Sequence, residues 1–167
     1  DFLKLQYPFE APCVIIGNFP YNISSQIIFK IIEWFPNIIG LICMFQKELA
    51  ERLVAKPNCK EYGVISVFAQ YFFEIECKIY LEPHYFTPPP KVDSAVILCK
   101  PIINRIPIFS YDKFKLLIKT SFEQRRKMLR NPCKNLFSQT DLQHEIFSLR
   151  AENLSVKDFA TLSFKMI

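Results

Sequence analysis

The chain has 167 residues, half of them hydrophobic, and a formal net charge of +5. That length and composition allow one real core with a small second unit, and no apolar run is long enough to cross a bilayer. The start does not read as a signal peptide, so the sequence is read as a cytoplasmic protein with no membrane partner. Cys13, Cys43, Cys59, Cys77, Cys99 and Cys133 lie far apart, with no CxxC and only His84 and His144 to join them. That spacing favours reduced thiols over disulfides or a zinc site, and no metal is expected.

Taken in order, Asp1 to Tyr7 has no strong period, and Val14, Ile15 and Ile16 form a short β-branched run that breaks at Gly17. After Asn18-Phe19-Pro20-Tyr21, a helix is predicted from Ser25, with Ile27, Ile28, Ile31 and Ile32 on its apolar face, ending near Trp34 and Pro36. Ile38 to Phe45 reads as a strand buried on both faces, and Gln46 to Lys56 as an amphipathic helix. A further helix is predicted over Val64 to Tyr71, a strand over Phe73 to Leu81, and a last strand over Lys91 to Lys100. Between those two strands, Pro88, Pro89 and Pro90 stiffen a loop that carries Phe86. Alternating strands and helices define an α/β sheet.

Pro101 to Pro107 reads as a boundary, giving domains at 1–101 and 102–167. Beyond it, helices are predicted over Tyr111 to about Arg130, Asp141 to Leu149, and Ser155 to Lys165, with Ser155 as N-cap. Charge divides the same way. Residues 1–100 carry nine Lys or Arg and ten Asp or Glu, whereas residues 101–167 carry twelve and six. A near-neutral body with a basic tail suits a polyanionic partner, and Arg125, Arg126, Lys127 and Arg130 concentrate phosphate-binding groups in a short stretch. A solvated helix face is the plainer account of the same residues.

The Asn18-Phe19-Pro20-Tyr21 stretch follows a strand and precedes a helix, where open α/β sheets place their ligands. It suits work on the exocyclic amine of a nucleobase. That amine is a poor nucleophile because its lone pair is delocalised into the ring. The Asn18 amide oxygen and a backbone carbonyl held rigid by the neighbouring proline could each accept one N–H and draw the lone pair back onto nitrogen. Tyr21 offers a flat face for an unstacked base, and Phe86 a second one. The same residues also suit strand punctuation and core packing.

Five blocks, GNFPYNIS, FQKELAERLVAKPNCKEYGVISVFAQY, FTPPPKVDSAV, EQRRKMLRN and RAENLSV, together resemble the small-subunit ribosomal RNA adenine dimethyltransferases, the KsgA family. The macrolide-resistance methyltransferases of large-subunit RNA share the NxPY loop but resemble the chain less at FTPPPKVDSAV and QRRK. The resemblance implies a Rossmann-like class I methyltransferase sheet, mixed, with its last strand antiparallel, plus a small all-helical domain that binds rRNA. It implies transfer of methyl groups from S-adenosylmethionine to two adjacent adenines near the 3′ end of small-subunit rRNA, by an enzyme that is a monomer when full length. Asn18 and Pro20 match the family's amine acceptors, Tyr21 and Phe86 its base-stacking aromatics. Asp1 and Asn18 match cofactor contacts, and Lys91, Arg125, Arg126, Lys127 and Arg130 RNA contacts.

There is no GxGxG; the glycines are Gly17, Gly40 and Gly63. The expectation is therefore a C-terminal fragment of a family member, lacking the Gly-rich N-terminal half, weak in cofactor binding and inactive alone. The competing class is a non-catalytic rRNA-binding assembly factor or organellar transcription factor. An intact Asn18, Pro20, Tyr21 and Phe86 favour the enzyme, because a pure binding module has no use for an amine clamp.

Overall fold

The computed structural model describes all of residues 1–167, which divide into two compact units. The first comprises Asp1–Val54 and Phe72–Ile103, the second Ala55–Tyr71 and Asn104–Ile167.

The first unit is a four-stranded mixed sheet. Its strands are β1 (Cys13–Asn18), β2 (Ile38–Gln46), β3 (Phe73–Leu81) and β4 (Ser94–Pro101), in the spatial order β1-β2-β4-β3. β1 and β2 are parallel and joined by α1 (Ser24–Glu33), the crossover that parallel neighbours require. The apolar stripe of α1, Ile27, Ile28, Ile31 and Ile32, is buried as its spacing predicts. α2 (Lys47–Val54) follows β2 without a break and buries Leu49, Ala50 and Leu53. β4 is antiparallel to both its neighbours, with Gln46 and Leu81 paired to Ser94. This geometry sets up the site: the antiparallel strand begins at the rim where β1, β2 and β3 end. The loops after β1 and before β4 therefore share one edge.

β2 differs from expectation in one respect. Leu41, Cys43 and Phe45 are buried, but Ile39 and Ile42 are exposed, as are Val14 and Ile16 on β1. Only one face of this part of the sheet is covered, so β2 is not buried on both faces. β1 forms one edge of the sheet.

The second unit contains α3 (Val64–Phe72), α4 (Tyr111–Glu123) and α5 (Val156–Leu162). Its core is aromatic: Phe68 and Tyr71 meet Phe114 with ring centroids 5.9 and 4.8 Å apart, Phe122 stacks on Phe159, and Phe137 meets Phe147. Ser155 caps α5 as its sequence position predicts, in a reciprocal box with Asp158. Two expected helices are corrected. α4 ends at Glu123, not near Arg130, because the chain after Gln124 turns and pairs with a distant segment. Leu129 N–H donates to Leu149 O at 2.7 Å, Arg130 N–H to Phe147 O at 3.0 Å, and Met128 and Arg150 form an antiparallel bridge. Those carbonyls hold the 124–130 backbone out of a helix. Residues 141–149 form two short 3₁₀ turns, Asp141–Gln143 and Glu145–Ser148, each closed by local i→i+3 bonds.

Candidate active site and nucleic-acid surface

The loop after β1 is organised by Phe19. A Cβ on Gly17 would lie 3.0 Å from the Phe19 ring, so the missing side chain at Gly17 lets that ring fold back over the strand. There it stacks on Phe45 at 5.8 Å with planes 17° apart and meets Phe2 at 5.6 Å. With Phe19 anchored inward, Asn18 and Pro20 are exposed at the rim. The Asn18 side-chain amide makes no hydrogen bond within the protein.

The backbone carbonyls of this loop are not equivalent. Pro20 O accepts the Ser24 hydroxyl at 3.0 Å and the Ile23 N–H at 3.4 Å, which occupy both of its lone pairs. Phe19 O accepts no hydrogen bond in the protein. The free acceptors at the rim are thus the Asn18 amide oxygen and the Phe19 carbonyl, the latter not singled out from the sequence. Its signal was present: Ser24, four residues after Pro20, is placed to back-bond a turn carbonyl.

Asn18, Phe19, Pro20 and Tyr21 form one side of a groove of about 330 Å³ whose other side is Phe86, Pro88 and Pro90. The volume falls at the low end of the ~300–1,000 Å³ typical of small-molecule sites. The structure therefore brings Asn18, Pro20, Tyr21 and Phe86 together. Phe86 is held in extended backbone just after the 3₁₀ turn Pro83–Tyr85, and the Thr87–Pro88 peptide is cis. Tyr21 is tied across the rim by its hydroxyl, 2.5 Å from Ser94 Oγ. Lys91 is exposed beyond Pro90 and does not line the groove.

Asp1 is exposed and stands outside the groove, one residue from Phe2, which packs on Phe19 and Trp34. Its Oδ1 caps the first 3₁₀ turn by accepting Leu3 N–H at 3.1 Å, leaving the other oxygen open as an acceptor. A carboxylate with a free oxygen and an unpaired carboxamide beside the same aromatic pair fit one side of an adenosine-bearing, cationic cofactor in kind.

In the second unit the basic cluster separates into two roles. Arg125 is consumed by the fold: its Nε donates to Glu152 at 2.8 Å, and its guanidinium donates to the carbonyls of Cys59 and Lys60 at 3.3 and 2.5 Å. Arg126 and Lys127 are exposed and line a recess of about 450 Å³ together with Arg150, Asn131 and Asn153. Arg130 and Lys134 line another of about 520 Å³ with Gln124, Gln139 and Gln143. Arg150 was not among the expected RNA contacts. It lies twenty-odd residues from the cluster in sequence and arrives through its bridge to Met128.

No group of three or more His, Cys, Asp or Glu side chains is placed to hold a metal ion, and no helix is long and apolar enough to cross a membrane.

The family model described as ribosomal RNA adenine dimethylase matches residues 1–166, and the chain belongs to that family. The ribosomal RNA small subunit methyltransferase A of Francisella tularensis subsp. novicida (strain U112) is 41% identical over 98% of this chain and 66% of its own length. The same-named protein of Wigglesworthia glossinidia brevipalpis is 44% identical over 100% and 67%. Among solved structures, a dimethyladenosine transferase from Plasmodium falciparum superposes with a TM-score of 0.81 at 26% identity, covering 97% of this chain and 68% of that one. The 23S rRNA methyltransferase ErmE shares the fold, with a TM-score of 0.71 at 20% identity, covering 99% and 69%. The fold is that of a Rossmann-like class I methyltransferase.

These matches correct the expectation of a C-terminal fragment lacking its N-terminal half. The family model takes in residues 1–166 and the relatives match 98–100% of the chain, so the recognised region is the chain as a whole. The chain spans 66% of the length of the Francisella relative.

Proposed function

We propose that this protein takes part in S-adenosylmethionine-dependent dimethylation of the exocyclic amines of two adjacent adenines near the 3′ end of small-subunit rRNA, in the cytoplasm, during ribosome biogenesis. The observation that carries the reading is the pair of unengaged acceptors, Asn18 Oδ1 and Phe19 O, on the wall of a groove that also holds Tyr21 and Phe86. Family membership and the names of the relatives support the substrate class.

Tyr21 and Phe86 would receive the adenine once it leaves its stack, each offering a ring face. Asn18 Oδ1 and Phe19 O would each accept one N–H of the amine, localising the lone pair on nitrogen and aiming it. Pro20 contributes by restricting the backbone at the Phe19 carbonyl, not through its own. The cofactor, when bound near Asp1 and Asn18, supplies a methyl group carried on positive sulfur. No side-chain base is needed, because the methylated ammonium is acidic enough to lose its proton to water; Asn18, Phe19, Pro20 and Tyr21 include neither a carboxylate nor an imidazole. After the first transfer one N–H remains, so one acceptor is released and the groove must admit a methyl in its place.

Arg126, Lys127, Arg130, Lys134 and Arg150 would neutralise rRNA phosphates, with Lys91 a further exposed cation. Arg125 supports this surface indirectly, through its bonds to Glu152 and the 59–60 carbonyls.

The test is methyl transfer from labelled S-adenosylmethionine to small ribosomal subunits that lack the modification, comparing wild-type protein with Asn18→Ala. Loss of transfer with RNA binding retained is expected. Undiminished turnover in Asn18→Ala would refute the clamp, and RNA binding without any transfer by the wild type would favour a non-catalytic assembly factor.

A further inference from the structure

The Tyr21 wall of the groove is anchored at one buried atom. Ser94 Oγ lies 2.5 Å from the Tyr21 hydroxyl, and Ser94 itself is fully buried at the first position of β4. Ser94 is paired on both sides, to Gln46 of β2 and Leu81 of β3, so its backbone is fixed by two ladders. Asp93, one residue before it, is held twice by Lys47: the Lys47 N–H donates to Asp93 O at 2.9 Å, and the ammonium meets the carboxylate at 3.3 Å. Tyr21 begins only a three-residue 3₁₀ turn that has no side-chain cap. Its hydroxyl therefore links a short turn, closed through the Pro20 carbonyl, to a point of the rim that is fixed by two ladders. Phe86 lies eight residues before Ser94 on the loop that ends at this point.

We infer that Ser94 is a positioning residue for the target base. It holds the Tyr21 ring at a set tilt opposite the Phe86 loop, so that the groove admits one planar purine between them. Ser94 does not line the groove and so acts through Tyr21, without touching the base. The inference rests on the reading of the groove as a base slot. The chemistry favours this arrangement because each buried hydroxyl needs a partner, and Ser94 Oγ has none in the protein other than Tyr21. Deleting either hydroxyl strands the other, and the ring loses its hydrogen bond to β4.

The test uses the full chain and a hairpin RNA bearing two adjacent adenines, one replaced by formycin, a fluorescent adenosine analogue that keeps the amine on its six-membered ring. Stacking of that base on an aromatic ring is read as quenching in the bound state, and affinity is read separately by anisotropy of an end-labelled hairpin. Ser94→Ala is expected to cut the bound-state quench by about threefold while changing Kd by less than about twofold, since stacking on one ring is a modest part of RNA affinity. Tyr21→Phe keeps the ring and removes the same bond from the other end, so it should reproduce the loss without disturbing β4. The double variant should be no worse than either single one, the non-additivity expected of two groups that act only through each other. Tyr21→Phe retaining the wild-type quench overturns the inference, whatever Ser94→Ala does. A wild-type protein that binds the hairpin but never quenches the base overturns the base slot and this inference together, whereas quenching by the wild type and by both variants overturns this inference alone.

Discussion

In the sheet unit the groove is assembled from neighbours in sequence. Gly17 makes room for Phe19, Phe19 leaves Asn18 facing out, Ser24 occupies the Pro20 carbonyl, and Tyr21 reaches the start of β4. In the helical unit one basic recess joins residues that sequence keeps apart, Arg150 being brought to Arg126 and Lys127 by the bridge between Met128 and Arg150. The groove carries no charge among its lining residues, while the recesses carry several cations. On the proposed function, the groove would orient a neutral amine by short, directional contacts, and the recesses would hold a polyanion by salt-sensitive attraction. The same contrast predicts how each will fail: the groove through geometry, the recesses through charge.

The largest effect expected is at Asn18. Removing one preorganised polar partner of a reacting group costs on the order of 10²–10³ in rate, so Asn18→Ala should reduce methyl transfer by at least about 10²-fold. The salt dependence of RNA binding should not move. A parallel change in that dependence would mean that the groove and the basic recesses are not separate in function.

Gly17→Ala comes next. The added methyl meets the far end of the Phe19 ring at 3.0 Å, and that ring is hemmed in by Phe45 and Phe2. It cannot swing away freely, so a loss of about 1–3 kcal/mol in denaturant unfolding is expected, as for other overpacked sites. Because Phe19 carries the free carbonyl, transfer should fall as well. A stable Gly17→Ala protein with full transfer would show that Phe19 can move without consequence.

The two neighbouring arginines sharpen the contrast from the other side. Arg125→Ala removes bonds to Glu152 and to two loop carbonyls, and should cost about 1 kcal/mol of stability after allowance for solvent exposure. Arg126→Ala should leave the melting temperature unchanged and lower the slope of log affinity against log salt by about 1. If the two variants behave alike in both measurements, the division of the cluster into structural and RNA-facing members is wrong.

The same contrast explains what could be read in advance. The strands, α1 and the Ser155 cap announce themselves because their signals are local: β-branched runs, an Ile repeat at helical spacing, a serine three residues before Asp158. The groove was legible for the same reason, since Asn18, Pro20 and Tyr21 fall within one tetrapeptide and Phe86 sits close to a proline run. The end of α4 was not. Residues 124–130 include good helix formers such as Arg, Lys, Met and Leu, and only hydrogen bonds to Phe147 and Leu149 pull them out of the helix. Propensity cannot foresee a partner twenty residues away. Arg150 was missed on the same account, and the Phe19 carbonyl because a backbone acceptor is visible only once its neighbours' bonds are counted.

The smallest effects concern buried groups that serve neither surface. Tyr62 is fully buried in the helical unit, against Phe122, and its hydroxyl has no hydrogen-bond partner. Burial, and then the nearby Asp158 carboxylate, push its ionisation well above the usual phenol range. Burial likewise pushes the Cys99 thiol of the sheet up to about 12. In both cases the folded state keeps a proton that the unfolded chain releases. Stability is therefore unaffected at neutral pH and falls as pH rises past the unfolded values, near 9 for the thiol and near 10 for the phenol. Tyr62→Phe removes a desolvated, unpaired hydroxyl at the cost of a small void, so it should be neutral or stabilising by up to about 1 kcal/mol, a rise of about 2–4 °C in melting temperature. It should also flatten the alkaline loss above pH ~10 while leaving the part that begins near pH ~9, which belongs to the thiols. A clear loss of stability in Tyr62→Phe at neutral pH would mean that the hydroxyl has a buried water for a partner. The helical unit would then hold a polar anchor of its own, comparable to the Tyr21–Ser94 pair of the sheet.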